Sequence, residues 1–200
     1  MSNLKIAIIA EDDTDCKTVR KIVHRLLGNN ISTKMWGSKG CSKLRRKLPV
    51  KIKELSREGC NAFVILHDLD RNPQNGDPNN ELELREKLEK SISNLQGIRK
   101  HICIPMEELE AWFWSDPEVI KHIGRGKGQA KANPHTIPKP KEELLKLSIG
   151  ENRQPRYSTN MNAELAAMLN LDICCDRCPS FKELRSFLLD PLLGRKKLGS

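Results

Sequence analysis

Acidic residues in this chain collect directly behind apolar runs. Glu11, Asp12, Asp13 and Asp15 follow Ile6-Ala7-Ile8-Ile9-Ala10, Asp68 and Asp70 follow Phe63-Val64-Ile65-Leu66, and Glu107, Glu108 and Glu110 follow Ile102-Cys103-Ile104-Pro105. Residues two apart in extended chain point the same way, so Asp68 and Asp70 can grip one ion or bridge two. Carboxylates packed closely repel and raise one another's pKa, and a divalent cation is the natural compensation. Ligands that are all oxygen suit Mg²⁺ or Mn²⁺, ions that activate water and neutralise charge developing on a phosphodiester. Singly, each acid also reads as a solvated loop residue or a helix cap. The joint placement of Glu11, Asp68 and Asp70 behind strands is what points to a site.

The elements that must position these acids follow from apolar spacing. Leu4–Ala10, Ile31–Trp36, Asn61–Leu66 and His101–Pro105 read as strands, the first and third as fully buried ones. Between them, helices are expected over Thr14–Leu27 with Thr14 as its cap, over part of Ser42–Arg57 with Pro49 as a kink or a start, and through Leu82, Leu84, Leu88, Ile92 and Leu95. Alternation of this kind implies βαβ units and a mostly parallel sheet flanked by helices, with functional groups at the carboxyl ends of the strands. Residues 1–115 form this α/β catalytic core. Residues 116–200 read as a helical extension, with an exposed basic Gly/Pro-rich loop over 124–140. Its expected helices are Glu107–Trp114, just before the boundary, then Pro117–Ile123, Lys141–Leu147, Asn162–Leu169 and Ser180–Leu189.

Charge points the same way as the acids. The 200 residues carry 35 Lys and Arg against 26 Asp and Glu, a net +9, which favours an anionic partner. From Lys39 to Lys53 the cations Lys39, Lys43, Arg45, Arg46, Lys47, Lys51 and Lys53 stand without an acid among them, and Lys121, Arg125, Lys127, Lys131, Lys139 and Lys141 form a second group. Lys43, Arg45, Arg46, Lys47, Arg125, Lys127 and Lys131 are the candidates for holding a nucleic-acid backbone, through charge rather than base reading. A solvated helix face and a plain flexible loop are the alternative readings. With three Trp, four Phe and one Tyr, base-stacking modules are poorly supplied. Four acids end the first apolar run within five residues, which excludes a signal peptide, and no window suits a membrane span. Seven scattered Cys without an export signal suggest a reduced cytoplasmic protein.

A strand ending in Glu11 with an acid at Asp15, and a later strand ending in Asp68-Leu69-Asp70, resembles the TOPRIM domain of topoisomerases, primases, small ribonucleases and overcoming-lysogenisation-defect nucleases. Ile104-Pro105-Met106-Glu107-Glu108-Leu109-Glu110-Ala111-Trp112, with Cys178-Pro179-Ser180-Phe181, is similar to a family of small TOPRIM-like proteins often encoded beside ATPases in bacterial defence loci. The resemblance spans most of the chain. It implies that Glu11, Asp15, Asp68 and Asp70 hold Mg²⁺ or Mn²⁺, that Glu11 also serves as general base, and that Glu110 joins the catalytic set. It further implies a nuclease effector of anti-phage defence, working with an ABC- or AAA-type ATPase on DNA or RNA. The TOPRIM pattern has Gly after its first Glu, whereas Asp12 stands here and either adds a ligand or alters the turn.

The same two acidic runs also look like a phosphoacceptor receiver domain, with Lys139-Pro140 as its lysine. Against this, Asp13 and Asp68 are far apart for that pattern, and a loop, not a strand, precedes Lys139. A TOPRIM-like fold serving as a regulatory subunit is a third reading. Cys174, Cys175 and Cys178 lack a second ligand pair for zinc. Trp112, Phe113 and Trp114 read as packing, His67 equally as a phosphate or metal contact and as a buried, bonded side chain, and Tyr157 as an unsupported candidate nucleophile.

Overall fold

A computed structural model describes residues 4–193 other than Pro73, Pro78, Gln96 and Asn152. The end of the helical extension, residues 194–200, therefore lies outside the described residues. The apolar runs become four parallel strands: β1 (Lys5–Ala10), β2 (Ser32–Gly37), β3 (Ala62–Leu66) and β4 (Arg99–Cys103), in the order β2-β1-β3-β4. β1 and β3 lie in the middle, which is why they carry apolar residues on both faces. Ile6, Ile8, Ala62 and Val64 face one core, while Ala7, Ile9, Phe63 and Ile65 face another. The chain is thus an α/β fold with helices on either side of a parallel sheet.

The second core is covered by α2 (Cys41–Arg57) and α3 (Glu81–Ser91). Helix α2 does not start at Pro49 but continues through it, because burial of Leu44, Leu48, Ile52 and Leu55 outweighs the roughly 3 kcal/mol that an interior proline costs. Helix α3 is shorter than its apolar pattern: Leu82 is 69% exposed, and Ile92 and Leu95 reach the core from the turn that follows. The first core is covered by α1 (Asp13–Leu27) and by the chain beyond β4. That chain forms a 3-10 helix (Leu109–Ser115) where an α-helix was expected, then α4 (Pro117–Ile123), α5 (Pro140–Leu147), α6 (Asn162–Met168), α7 (Leu171–Arg177) and α8 (Pro179–Leu188). Helix α7, capped by the Asn170 side chain, has no counterpart among the expected helices.

Two tight joints set the edge where the strands end. Asp12, not Thr14, caps α1, accepting the amides of Thr14 (2.7 Å) and Asp15 (2.9 Å). Asp12, expected either to add a ligand or to alter the turn, serves here as the helix cap. The β2–α2 loop then docks on this turn, Ser38 N donating to the Ala10 carbonyl and Gly40 N to that of Glu11, each at 3.0 Å. Gly37 is obligatory there, since a Cβ would stand 2.6 Å from the Asp12 and Asp13 backbone.

Candidate active site

Register brings the acidic runs to one edge. Ile9 pairs with Ile65, which sets Glu11 level with His67, and the β3–β4 ladder continues past its strands through His67 N to Cys103 O (3.1 Å) and Leu69 N to Pro105 O (3.0 Å). Asp68 is fixed by accepting the Leu109 amide on Oδ1 at 3.0 Å, which ties β3 to the 3-10 helix that carries Glu110. Asp15 enters from the first turn of α1, 8% exposed.

These carboxylates share one electrostatic field. Burial, with Asp70 and Asp12 nearby, pushes the Glu11 carboxyl up to about 7. Burial, then Asp12, Glu110 and Glu11, push Asp15 up to about 8. Asp68 is raised well above the usual carboxylate range by burial and by Asp15, Glu110, Glu11 and Asp70. Burial and Glu108 raise Asp70, and burial raises Glu110. Among the described residues no Lys or Arg forms an ion pair with any of these five. Their neighbours Glu107 and Glu108 are different. Arg71 grips Glu107 with both Nε (2.9 Å) and Nη2 (2.7 Å), and Lys141 meets Glu108 with its ammonium at 2.8 Å and its amide at 3.0 Å.

Two buried polar atoms stand beside this cluster without hydrogen-bond partners, Glu11 Oε1 and His67 Nε2. His67 Nδ1 lies 3.1 Å from Glu11 Oε1 but only 2.7 Å from the Asp68 carbonyl. The shorter contact gives the N–H to the carbonyl, and burial lowers the imidazole's pKa. An all-oxygen donor set fits a hard divalent cation in kind, although Arg45 acts on Glu11 and Asp70, and Lys141 on Asp70 and Glu110, without an ion pair to them. Among the described residues, no three His, Cys, Asp or Glu side chains yet stand together as ligands around one point.

Glu110 is the most constrained of the five. It is 4% exposed, and its Oε1 accepts from Asn162 Nδ2 at 2.9 Å and from the Tyr157 hydroxyl at 3.2 Å, the hydroxyl also lying 2.8 Å from Asn162 Oδ1. Tyr157 is thus a buried clamp on a carboxylate, and Asn162 carries no signal in the sequence that would have pointed to it. Trp112, Phe113 and Trp114 are buried beneath the site, with Trp112 Nε1 donating to Ser180 Oγ and Trp114 Nε1 to the Pro140 carbonyl. Cys174 and Cys178 are buried in the same core.

A cleft of about 920 Å³ opens beside the carboxylates, lined by Asp68 and Asp70 and walled by the residues after β3, the start of α3 and the segment around Lys139. Of the expected backbone-binding cations, Arg45 lines it, whereas Lys43, Arg46, Lys47, Arg125, Lys127 and Lys131 are exposed outside it. Lys139 lines the cleft too, reached by a segment without a strand from Gly124 onward, as the argument against a receiver lysine anticipated.

The fold and this edge define a parallel α/β protein with an anion-rich centre at its strand ends. Over residues 10–189 the chain matches, and belongs to, the family described as "Domain of unknown function (DUF4276)". No curated protein and no solved structure matches it. No helix among the described residues is long and apolar enough to cross a membrane.

Proposed function

We propose that the protein is a Mg²⁺- or Mn²⁺-dependent phosphodiesterase of TOPRIM type acting on DNA or RNA. One observation supports the reading: different elements bring Glu11, Asp15, Asp68, Asp70 and Glu110 to one edge, where burial and mutual repulsion raise their pKa values and, among the described residues, none is ion-paired to Lys or Arg. Glu11, Asp68 and Asp70, with Asp15 behind them, are the residues that would hold the ion. When bound, such a cation lowers the pKa of water and neutralises charge on a phosphoryl oxygen. The chain's own part is to fix the acids: the Leu109 amide orients Asp68, and Asn162 with Tyr157 orients Glu110. Glu11, with its free Oε1 and a carboxyl near 7, is suited to take a proton from water at neutral pH. Arg71 and Lys141 hold Glu107 and Glu108 out of the ligand set.

The resemblance adds an ATPase partner and a role in anti-phage defence to the proposal. Asp68→Asn and Asp70→Asn, assayed with the wild type on single- and double-stranded DNA and RNA in Mn²⁺, with and without a neighbouring ATPase, are expected to lose at least 100-fold in cleavage rate while their circular dichroism stays native. Wild-type protein inert on every substrate would sink the reading. Stoichiometric phosphorylation of Asp68 or Asp70 by acetyl phosphate would replace it with the receiver reading.

A further inference from the structure

Helix α2 shows solvent a face of one sign. Leu44, Leu48, Ile52 and Leu55 turn one side of the helix to the core, and at the same three- and four-residue spacing Lys43, Arg46, Lys47, Lys53 and Arg57 are exposed on the opposite side. Among the described residues none of these five pairs with a carboxylate. The helix has one acid, Glu54, and Lys51 takes it at 2.9 Å while its ammonium lies over the Trp36 ring. Val50, 54% exposed, is the one exposed apolar side chain of the helix. Arg45 lines the cleft and is not part of this face.

The face leads to the carboxylates. Cys41, the first residue of α2, lines the cleft, and just past the last turn the Glu58 carbonyl accepts from Lys5 Nζ at 2.8 Å, at the start of β1. The helix thus runs the length of the sheet, from its carboxyl edge to its amino edge. From Lys43 to Arg57 the cations span about 21 Å, at about 1.5 Å per residue. One strand of a double helix sets about six phosphates over that length, so five unpaired cations match it in both charge and extent.

Other anionic partners fit less well. With no aromatic residue in α2, unpaired bases find no ring to stack on, which favours a duplex over a single strand. One exposed valine gives a lipid surface no apolar stripe to take up, and gives a protein partner no apolar centre for an interface. The second cationic group differs: Lys121 pairs with Glu118 and Lys141 with Glu108, and Ala130 and Ile137 anchor its loop in the core on the other side of the sheet.

We infer that the outer face of α2, through Lys43, Arg46, Lys47, Lys53 and Arg57, binds the backbone of double-stranded nucleic acid and leads it to the carboxylate edge. The inference names a duplex as the substrate of the phosphodiesterase reading and rests on that reading for cleavage alone; binding along α2 stands on charge and length.

The test is binding in EDTA, where no cation supports cleavage. Full-length protein is titrated with a short fluorescent DNA or RNA duplex and with one of its strands, and polyglutamate serves as competitor. Arg46→Gln, Lys53→Gln and Arg57→Gln together are expected to weaken duplex binding at least ten-fold at low salt and to lower the slope of log K against log salt by about 2.7, near 0.9 for each lost phosphate contact. Lys17→Gln, Arg20→Gln and Lys21→Gln, an equal loss of charge from exposed positions of α1 on the other side of the sheet, should leave it nearly unchanged. Val50→Glu alone sets an acid in the middle of the face and should weaken binding as well. All three proteins are changed only at exposed positions and should melt like the wild type. Equal losses from α1 and α2, an unaffected Val50→Glu protein, or a duplex that does not bind at low salt overturns the surface. A single strand that binds as tightly, or polyglutamate that displaces the duplex as well as unlabelled duplex does, overturns the double-helix assignment. Duplex binding that depends on the α2 cations but brings no cleavage in any cation would sink the phosphodiesterase reading alone, and cleavage of single strands by a protein that binds no duplex would sink the surface alone.

Discussion

Asp15 shows what the site costs the fold. Its carboxyl titrates near 3.8 in unfolded chain and is pushed up to about 8 in the folded protein by burial and by Asp12, Glu110 and Glu11. Between those values the unfolded chain has released a proton that the folded chain still holds, so rising pH favours unfolding. The Asp15 contribution is fully present below about 3.8 and lost as pH climbs through about 8. Asp15→Asn keeps the shape and removes the ionisation. Cation-free Asp15→Asn is therefore expected to be more stable than the wild type at pH 8.5 by about 2 kcal/mol, a rise of roughly 4–8 °C in Tm, and to match it near pH 4. Thermal melts in EDTA across that range check it; equal melting temperatures at pH 8.5 would show that the Asp15 charge is relieved in the fold. Millimolar Mn²⁺ should raise the wild type's Tm at pH 8 and should do less for the variant.

At the scale of elements, the site depends on how closely two loops approach. The end of β2 lies on the turn that holds Glu11, and a Cβ on Gly37 would stand 2.5 Å from Asp13 Oδ1 and 2.6 Å from backbone atoms. Backbone cannot yield as the end of a flexible side chain can, so Gly37→Ala must push the β2–α2 loop outward. A loss of about 1–3 kcal/mol in chemical denaturation is expected, with displacement of the α2 start relative to Glu11. Unchanged stability would mean that the joint is slack. Such a contact is invisible in the sequence, where Gly37 reads as one more loop glycine. The strands and most helices were legible because burial leaves a local pattern: an unbroken apolar run for Ile6 to Ala10, which is buried on both faces, and a spacing of three to four for Leu44, Leu48, Ile52 and Leu55. That Glu11 and Asp68 share an edge was legible too, since the carboxyl ends of parallel strands line up, whereas Glu110 reaches that edge from a 3-10 helix. What the sequence hid are partners set by packing alone: Arg71 for Glu107, Lys141 for Glu108, Asn162 and Tyr157 for Glu110. Arg45 stands out from its cationic neighbours only once the start of α2 is seen at the cleft.

On the scale of the whole molecule, the net charge of +9 divides into a carboxylate centre at the strand ends and cations spread over the surface around it. The helical part beyond residue 115 completes both the core and that centre. Ile6, Ile8 and Val64 of the sheet share one hydrophobic cluster with Leu165 of α6 and with Phe181 and Leu184 of α8. Arg25 Nη1 donates to the carbonyls of Ala166 at 2.8 Å and Leu169 at 2.5 Å, stitching α1 to the end of α6. Tyr157 and Asn162, the two groups that hold Glu110, come from this part as well. A chain cut after residue 115 therefore exposes one apolar face of its sheet side and leaves Glu110 buried among fewer polar partners, a combination that burial energetics does not support. The full chain is expected to unfold in one cooperative transition, by circular dichroism and by tryptophan fluorescence alike, whereas residues 1–115 should show no cooperative melt and should bind a hydrophobic dye in buffer. A cooperative transition in the shortened chain would establish the α/β unit as an independent domain, with the helical part as an addition to a site already formed.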